Sequence, residues 1–127
     1  MRTLLLIAFI SLAAVGCAPP LVRGNDEAVK ERLLRIVPAG SSRSILENEI
    51  RKRQWKHVRW DDRVFPIGSP HYFDDHGRAC RYRGGPSVTV VVAEYRTPFT
   101  TTVQTAWLFN KQNGVATVCV RRTTEAL

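Results

Sequence analysis

A chain of 127 residues has the length of one small domain. Its hydrophobic share of 44% and charged share of 24% are close to globular averages, which excludes wholesale disorder and a membrane protein with several spans. Its 19 Lys and Arg residues outnumber 11 acidic residues and give a net charge of +8, which favours anionic partners.

The first predicted element is an export signal over residues 1–16. The short basic start Met1-Arg2-Thr3 is followed by an unbroken run of apolar or small residues at 4–15. A helix needs about 20 apolar residues to cross a bilayer, so this run is too short for a span and is typical of a secretory signal. The chain is therefore predicted to leave the cytoplasm.

The signal ends in Ala14-Val15-Gly16-Cys17, which resembles the lipobox of bacterial lipoproteins. The resemblance implies cleavage before Cys17, a diacylglycerol on its thiol and an acylated amine. Ala14 stands where that motif more often has leucine, and ordinary signal-peptidase cleavage or an uncleaved anchor are the alternatives. Residues 17–24, with two prolines, are predicted to be an extended tether. Ala18 is not the aspartate that keeps such lipoproteins at the inner membrane, so the outer membrane is the predicted location, with the domain facing the periplasm.

If Cys17 is acylated, Cys80 and Cys119 are left as a pair in an oxidising compartment. Closing a loop of about 40 residues stabilises a domain by roughly 4 kcal/mol when the geometry is unstrained. A catalytic thiol is the alternative, but neither cysteine lies in an activating pattern such as C-x-x-C. A structural disulfide is therefore predicted.

The domain is predicted over residues 25–127 and begins with a helix over 25–37. Asn25 is a suitable N-cap, and the two acidic residues after it lie in the first turn, where the helix dipole favours them. Apolar residues then recur at helical spacing until Pro38 ends the helix.

A second helix is predicted to begin near Ser42 or Ser44. Ser44 and Glu47 have the spacing of a capping box, and apolar residues follow at helical spacing. The helix ends in the basic residues 51–53, which suit the carboxyl end of the dipole.

The rest of the domain changes to the period of strands. Val58 and Trp60 alternate with charged residues, as in a short strand, and residues 61–86, rich in Gly and Pro, are predicted to form a long irregular connection. Asn113-Gly114 is a hairpin signal. Three closing strands are predicted at 87–96, 101–109 and 115–123. Two helices on a three-stranded antiparallel meander make an α+β fold.

Two stretches carry a family resemblance, 28–50 and 101–121. Gly40-Ser41-Ser42-Arg43 opens the second helix, and a late strand ends in Leu108-Phe109-Asn110-Lys111-Gln112-Asn113-Gly114. With the lipobox, these motifs are similar to those of the SmpA/OmlA (BamE-like) small envelope lipoproteins. The resemblance implies an ααβββ fold, also found in the β-lactamase-inhibitor-protein class, and a non-catalytic binding and scaffolding module of outer-membrane machinery.

Aromatic residues near the strands are assigned mostly to the core. Trp107 and Phe109 share one face of the middle strand and are predicted to lie under the helices. Tyr95 and Arg96 precede a turn at 97–99, which is a candidate protein contact.

A metal site is the first alternative chemistry. His71, His76 and Cys80, with Asp74 and Asp75 between them, supply metal-binding side chains. Their spacing is not one of the common zinc patterns, and the same cysteine is better explained by a disulfide. No metal and no cofactor are predicted.

Hydrolysis of cell-wall glycan is the second alternative. It needs two carboxylates about 5–9.5 Å apart, and the acid pairs are Asp61/Asp62 and Asp74/Asp75. Neighbours in a strand point to opposite faces, so a working pair would have to form between segments. The chain is predicted not to be an enzyme.

A basic cluster interleaved with tryptophans would indicate a nucleic-acid patch in a cytosolic protein. Export removes that partner and leaves anionic headgroups and acidic faces of envelope proteins, which guanidinium groups bind well. A solvated surface with the tryptophans in the core is the alternative. The candidate contact residues are Arg51, Lys52, Arg53, Lys56 and Arg59.

The predicted function is that of a lipid-anchored binding or scaffolding module of the cell envelope, without a nucleic-acid partner or a small-molecule substrate. The alternative is a periplasmic inhibitor or immunity-type protein that blocks an enzyme through its sheet, and a polar sheet surface would favour it. A cell-wall hydrolase is the remaining alternative.

Overall fold

A computed structural model describes residues 20–73, 77–87, 89–96 and 101–124. In these ranges a single 3₁₀ turn, Pro20–Val22, precedes two helices and six strands. The helices are α1, Asp26–Ile36, and α2, Arg43–Lys52; the strands are β1, Lys56–Asp61; β2, Pro70–Phe73; β3, Ala79–Arg81; β4, Thr89–Arg96; β5, Thr101–Phe109; and β6, Val115–Thr124. No helix of these ranges is both long and apolar enough to cross a membrane.

Four strands form one antiparallel sheet in the order β1-β4-β5-β6. The prediction of a three-stranded meander is therefore wrong, although the fold does combine helices and strands. β1 occupies the outer edge and pairs with β4, with Trp60 opposite Val91. The physical reason is that β4, which is rich in β-branched residues, would be an unpaired edge strand in the three-stranded meander. Pairing with β1 satisfies the hydrogen-bonding groups of that edge.

The connection predicted to be irregular over 61–86 also contains regular structure. β2 and β3 pair with each other in a separate two-stranded sheet, and Phe65 bridges to Ser87. Cys80 in β3 and Cys119 in β6 form a disulfide with Cα atoms 5.7 Å apart, so the predicted disulfide is confirmed. We call residues 62–73 and 77–87 the cover, because Phe65, Cys80 and Tyr82 from this segment pack on one face of the large sheet.

The helices begin near the predicted positions. Asn25 caps α1, and its Oδ1 accepts a hydrogen bond from the Ala28 N–H at 2.9 Å, as predicted. In α2 the N-cap is Ser42, which makes no side-chain cap bond, so the capping box predicted for Ser44 and Glu47 is wrong. The Glu47 carboxylate is instead bound by Arg43 at 3.2 Å, because a salt bridge one turn apart competes for the same oxygen.

The main core lies between the helices and one face of the large sheet. Trp107 and Phe109 are 3% and 1% exposed there, which confirms them as core residues. Val22, from the end of the predicted tether, is also fully buried in this core. Arg122 of β6 fixes that segment, since its Nε donates to the Val22 carbonyl at 2.7 Å and its N–H donates to Asp26 at 2.8 Å. The domain boundary at residue 25 stays a prediction.

A smaller core lies on the opposite face of the sheet. Ala106, Leu108 and Cys119 are buried there against Phe65 and Tyr82 of the cover. The cover thus protects only the end of this face that is lined by small and apolar residues.

Candidate binding surface

The half of this second face that the cover does not pack against is polar. Register pairs Lys56 with Glu94, Glu94 with Gln104 and Gln104 with Arg121, so one row of polar side chains crosses all four strands. Residues two apart on a strand share a face, which places this row beside the row that contains Ala106. We call this surface the open face; its members are Lys56, Arg59, Glu94, Arg96, Thr102, Gln104, Arg121 and Thr123.

The open face is cationic. Four of its members are basic and only Glu94 is acidic. The side chains of Lys56, Arg59 and Arg121 are exposed and make no hydrogen bond or ion pair with another residue that the structure describes. These charges are therefore available to an outside partner.

The basic cluster predicted from the sequence is divided between two surfaces. Arg51 and Arg53 lie at the end of α2, where Arg51 donates to Asn48 at 2.6 Å and Arg53 contacts Glu49 at 3.2 Å. The exposed Lys52 closes the same helix.

Lys56 and Arg59 lie on the open face, beyond the turn that follows the helix. There they are joined by Arg96 and Arg121, which sequence reasoning missed because they come from distant strands. Their only sequence signal is that each alternates with a residue of the buried face.

A cavity of about 350 Å³ lies where the open face meets the cover. One wall is a row across three strands, since register pairs Arg59 with Val92 and Val92 with Ala106. Phe65 and His71 of the cover contribute to the lining, with ring centroids 5.5 Å apart in an edge-on contact. The remaining lining residues are Trp60, Asp61, Arg63 and Pro70.

Asp61 and Arg63 form the tightest charged pair at the cavity. The Arg63 Nε lies 2.9 Å from both Asp61 carboxylate oxygens, and its Nη2 lies 2.5 Å from Oδ2. These hydrogen bonds, together with one from the Arg63 backbone, lower the pKa of Asp61 to about 2 and raise the pKa of Arg63 above its usual value. Asp61 therefore stays ionised near neutral pH and is unsuited to act as a general acid.

His71 is the titratable ring of the cavity. It is half-buried, and this burial lowers the pKa of its imidazole, because a charged ring loses hydration there. The ring is therefore neutral at pH 7, with one N–H donor and one nitrogen acceptor.

A second depression, of about 580 Å³, runs between α2 and the outer side of β1. Trp55, which is buried, and the half-buried Val58 and Trp60 line it. The Arg43 guanidinium lies 3.8 Å from the Trp60 ring centroid and 3.5 Å from Asp62. Both tryptophans thus belong to the core or its margin, as the alternative interpretation of the basic cluster held.

The turn at 97–99 lies outside the described residues. Tyr95, just before it, is half-buried and packs on Trp55 with ring centroids 5.4 Å apart.

The other chemical alternatives find little support in the described ranges. In them, no three His, Cys, Asp or Glu side chains are grouped as metal ligands would be, and Cys80 is consumed by the disulfide. Asp61 and Asp62 are each bound by an arginine. Asp74, Asp75 and His76 lie outside the described residues, as does the candidate lipidation site Cys17.

Compared with known proteins, the chain matches no family model, no curated protein and no solved structure. The resemblance to the SmpA/OmlA family stays a prediction, and the four-stranded sheet differs from the ααβββ arrangement that it implies. The features of the described chain that bear on function are the open face and the cavity beside it.

Proposed function

We propose that this protein is an exported, lipid-anchored binding module of the cell envelope, and that its open face binds an acidic surface of another envelope protein. The observation that carries the proposal is that the exposed cations Lys56, Arg59 and Arg121 of that face make no hydrogen bond or ion pair with another described residue. Antiparallel sheets often leave one polar face to water, so polarity alone would not support a binding role.

Ion pairs are distributed differently on the helices and on the open face. On the helices, Arg35, Arg43 and Arg53 each have a glutamate one turn away within 4 Å. On the open face, Lys56 and Arg121 have no such partner in the described chain. Lys30 and Lys52 of the helices also have no ion pair within the described ranges, but three helix arginines do, whereas none of the open-face cations Lys56, Arg59 and Arg121 does.

Arginine suits the proposed partner. A guanidinium group donates two parallel hydrogen bonds to one carboxylate, and complementary charge speeds the encounter of two proteins. The net charge of +8 adds a long-range attraction that salt weakens. The anchor is proposed from the signal at 1–16 and from Cys17, on the sequence alone.

The test is site-specific photo-crosslinking in cells that produce the chain natively. A photoreactive amino acid at Gln104 samples the open face, and one at Lys111, in the exposed β5–β6 turn, is the matched control. We expect one adduct from Gln104 only, identified by mass spectrometry as an envelope protein. Reversal of Lys56 and Arg121 to glutamate should reduce it at least about tenfold, because two carboxylate contacts are lost.

Equal adducts from both positions, or an adduct that survives the double reversal, would overturn the proposal. The anchor is checked in the same cells, where Cys17→Ser should move the protein from the membrane to the soluble fraction. Continued membrane retention of that variant would contradict the anchor.

The polar open face also favours the inhibitor or immunity-type alternative. The identity of the crosslinked protein separates the two functions. An enzyme that loses activity when it binds one equivalent of this chain would indicate an inhibitor, whereas a protein without such inhibition would indicate a scaffold.

A further inference from the structure

The cavity between β1 and the cover has the size of a ligand site. Small-molecule sites are roughly 300–1,000 Å³ and mostly apolar, with few polar groups. At about 350 Å³ this cavity falls within that range, and Phe65, Val92 and Ala106 provide apolar walls from two layers of the fold.

The charges in the lining leave a single cation without a close partner. Asp61 and Arg63 bind each other, and the half-buried His71 is neutral at pH 7. Arg59 is the remaining charged residue of the lining, and its side chain makes no hydrogen bond or ion pair within the described ranges. The lining therefore has a net charge of +1, although Arg59 is also attracted by Asp61 at longer range.

We propose that this cavity binds a small amphipathic carboxylate, with its carboxylate on Arg59 and its apolar body between Val92 and Phe65. A planar carboxylate matches the guanidinium fork. A ligand with two negative charges fits less well, because the Asp61 carboxylate lines the same cavity. The sequence predicted no small-molecule partner, and this ligand site does not depend on the proposed protein contact.

The cavity is held open before any ligand arrives. Cys119, which is bonded to Cys80 of the cover, is the register partner of Ala106 on the sheet wall. The disulfide thus attaches the cover to β6, the strand next to the one that carries Ala106. The cover wall and the sheet wall of the cavity are therefore in place before the ligand binds. Such preorganisation reduces the entropic cost of binding.

The test is a calorimetric titration of the purified chain, residues 17–127, at pH 7 with octanoate as the probe. Acetate lacks the apolar body and octan-1-ol lacks the charge, so they serve as ligand controls. We expect saturable binding of octanoate at one equivalent, with at least about tenfold weaker binding of either control, since each loses one of the two contacts.

Two variants locate the site. Arg59→Gln should weaken octanoate binding at least about tenfold, whereas Lys111→Gln, the same charge change in the exposed β5–β6 turn outside the cavity, should leave it within about twofold. Val92→Trp should fill the cavity and abolish binding. Arg59 is exposed, so the Gln variant keeps its fold and stays informative if the Trp variant does not.

The proposal fails if octanoate does not bind, if the two control ligands bind as tightly, or if Arg59→Gln and Lys111→Gln weaken binding equally. None of these results bears on the crosslink from Gln104, whose test leaves Arg59 unchanged. If Gln104 gives no specific crosslink while octanoate still binds, the proposed protein contact is contradicted and the proposed ligand site is supported.

Discussion

The helix side of the large sheet and the open face are made by the same strands but have opposite compositions. Along β5, Val103 and Trp107 face the helices and are almost fully buried, whereas Gln104, between them in sequence, lies on the half-exposed opposite face. The helix face of β5 is therefore buried, whereas the open face of β5 stays partly exposed. Along this stretch of β5, the residues that pack in the core thus alternate with the residue proposed to contact a partner.

The largest expected difference in the free energy of unfolding is that between Trp107→Ala and Gln104→Ala on the same strand. Removing the buried indole should cost about 3–5 kcal/mol of the free energy of unfolding, because a large cavity remains in the core. Removing the Gln104 side chain should change the free energy of unfolding by about 0.5 kcal/mol or less. Denaturant unfolding followed by circular dichroism measures both. Similar losses for the two variants would show that the faces are not energetically distinct.

An intermediate effect is expected where the cover meets the sheet. Replacing Cys80 and Cys119 together by serine should lower the free energy of unfolding by about 2–4 kcal/mol, since the unfolded chain regains the freedom that the cross-link removed. Amide hydrogen exchange should rise in the cover, residues 62–73 and 77–87, more than in β5, which is paired on both sides. Unchanged exchange in the cover would mean that its noncovalent packing suffices to hold it.

The smallest expected effect on stability concerns the Asp61–Arg63 ion pair beside the cavity. Because Asp61 has a pKa of about 2 in the fold, below its value of about 3.9 in an unfolded chain, its contribution to stability is present above pH 4 and is lost as the pH falls towards 2. Carboxyl NMR titration should show that Arg63→Gln returns the Asp61 pKa towards 3.9. Arg43→Gln, which removes a contact to Asp62 instead, should leave the Asp61 pKa near 2. Equal shifts in both variants would contradict the pairing.

The elements that the sequence predicted well are those with local causes. Asn25 caps α1 by accepting a hydrogen bond from the Ala28 N–H, three residues later in the chain. Trp107 is assigned to the core by the two-residue period of β5. The disulfide followed from counting cysteines once Cys17 was assigned to the lipid.

What could not be predicted depends on residues far apart in the chain. β1 shows alternation only over its last residues, because Gln54 and His57 adopt left-handed backbone angles, φ 58° and 54°, that interrupt the pattern. The row that joins Lys56 to Arg121 depends on the register of four strands, and no local pattern encodes it. Neighbours in the basic cluster, in turn, are separated by the turn between α2 and β1.

The irregularity at His57 has a further effect on how copies of the chain meet. β1 is an edge strand, and an unpaired edge invites strands of other molecules to add to it and aggregate. The register of β1 shifts between Lys56 and Arg59, and both residues are positively charged, so the edge is bent and repels its own copy. If the proposed anchor concentrates the protein on a membrane surface, this edge would oppose fibre-like association of neighbouring molecules.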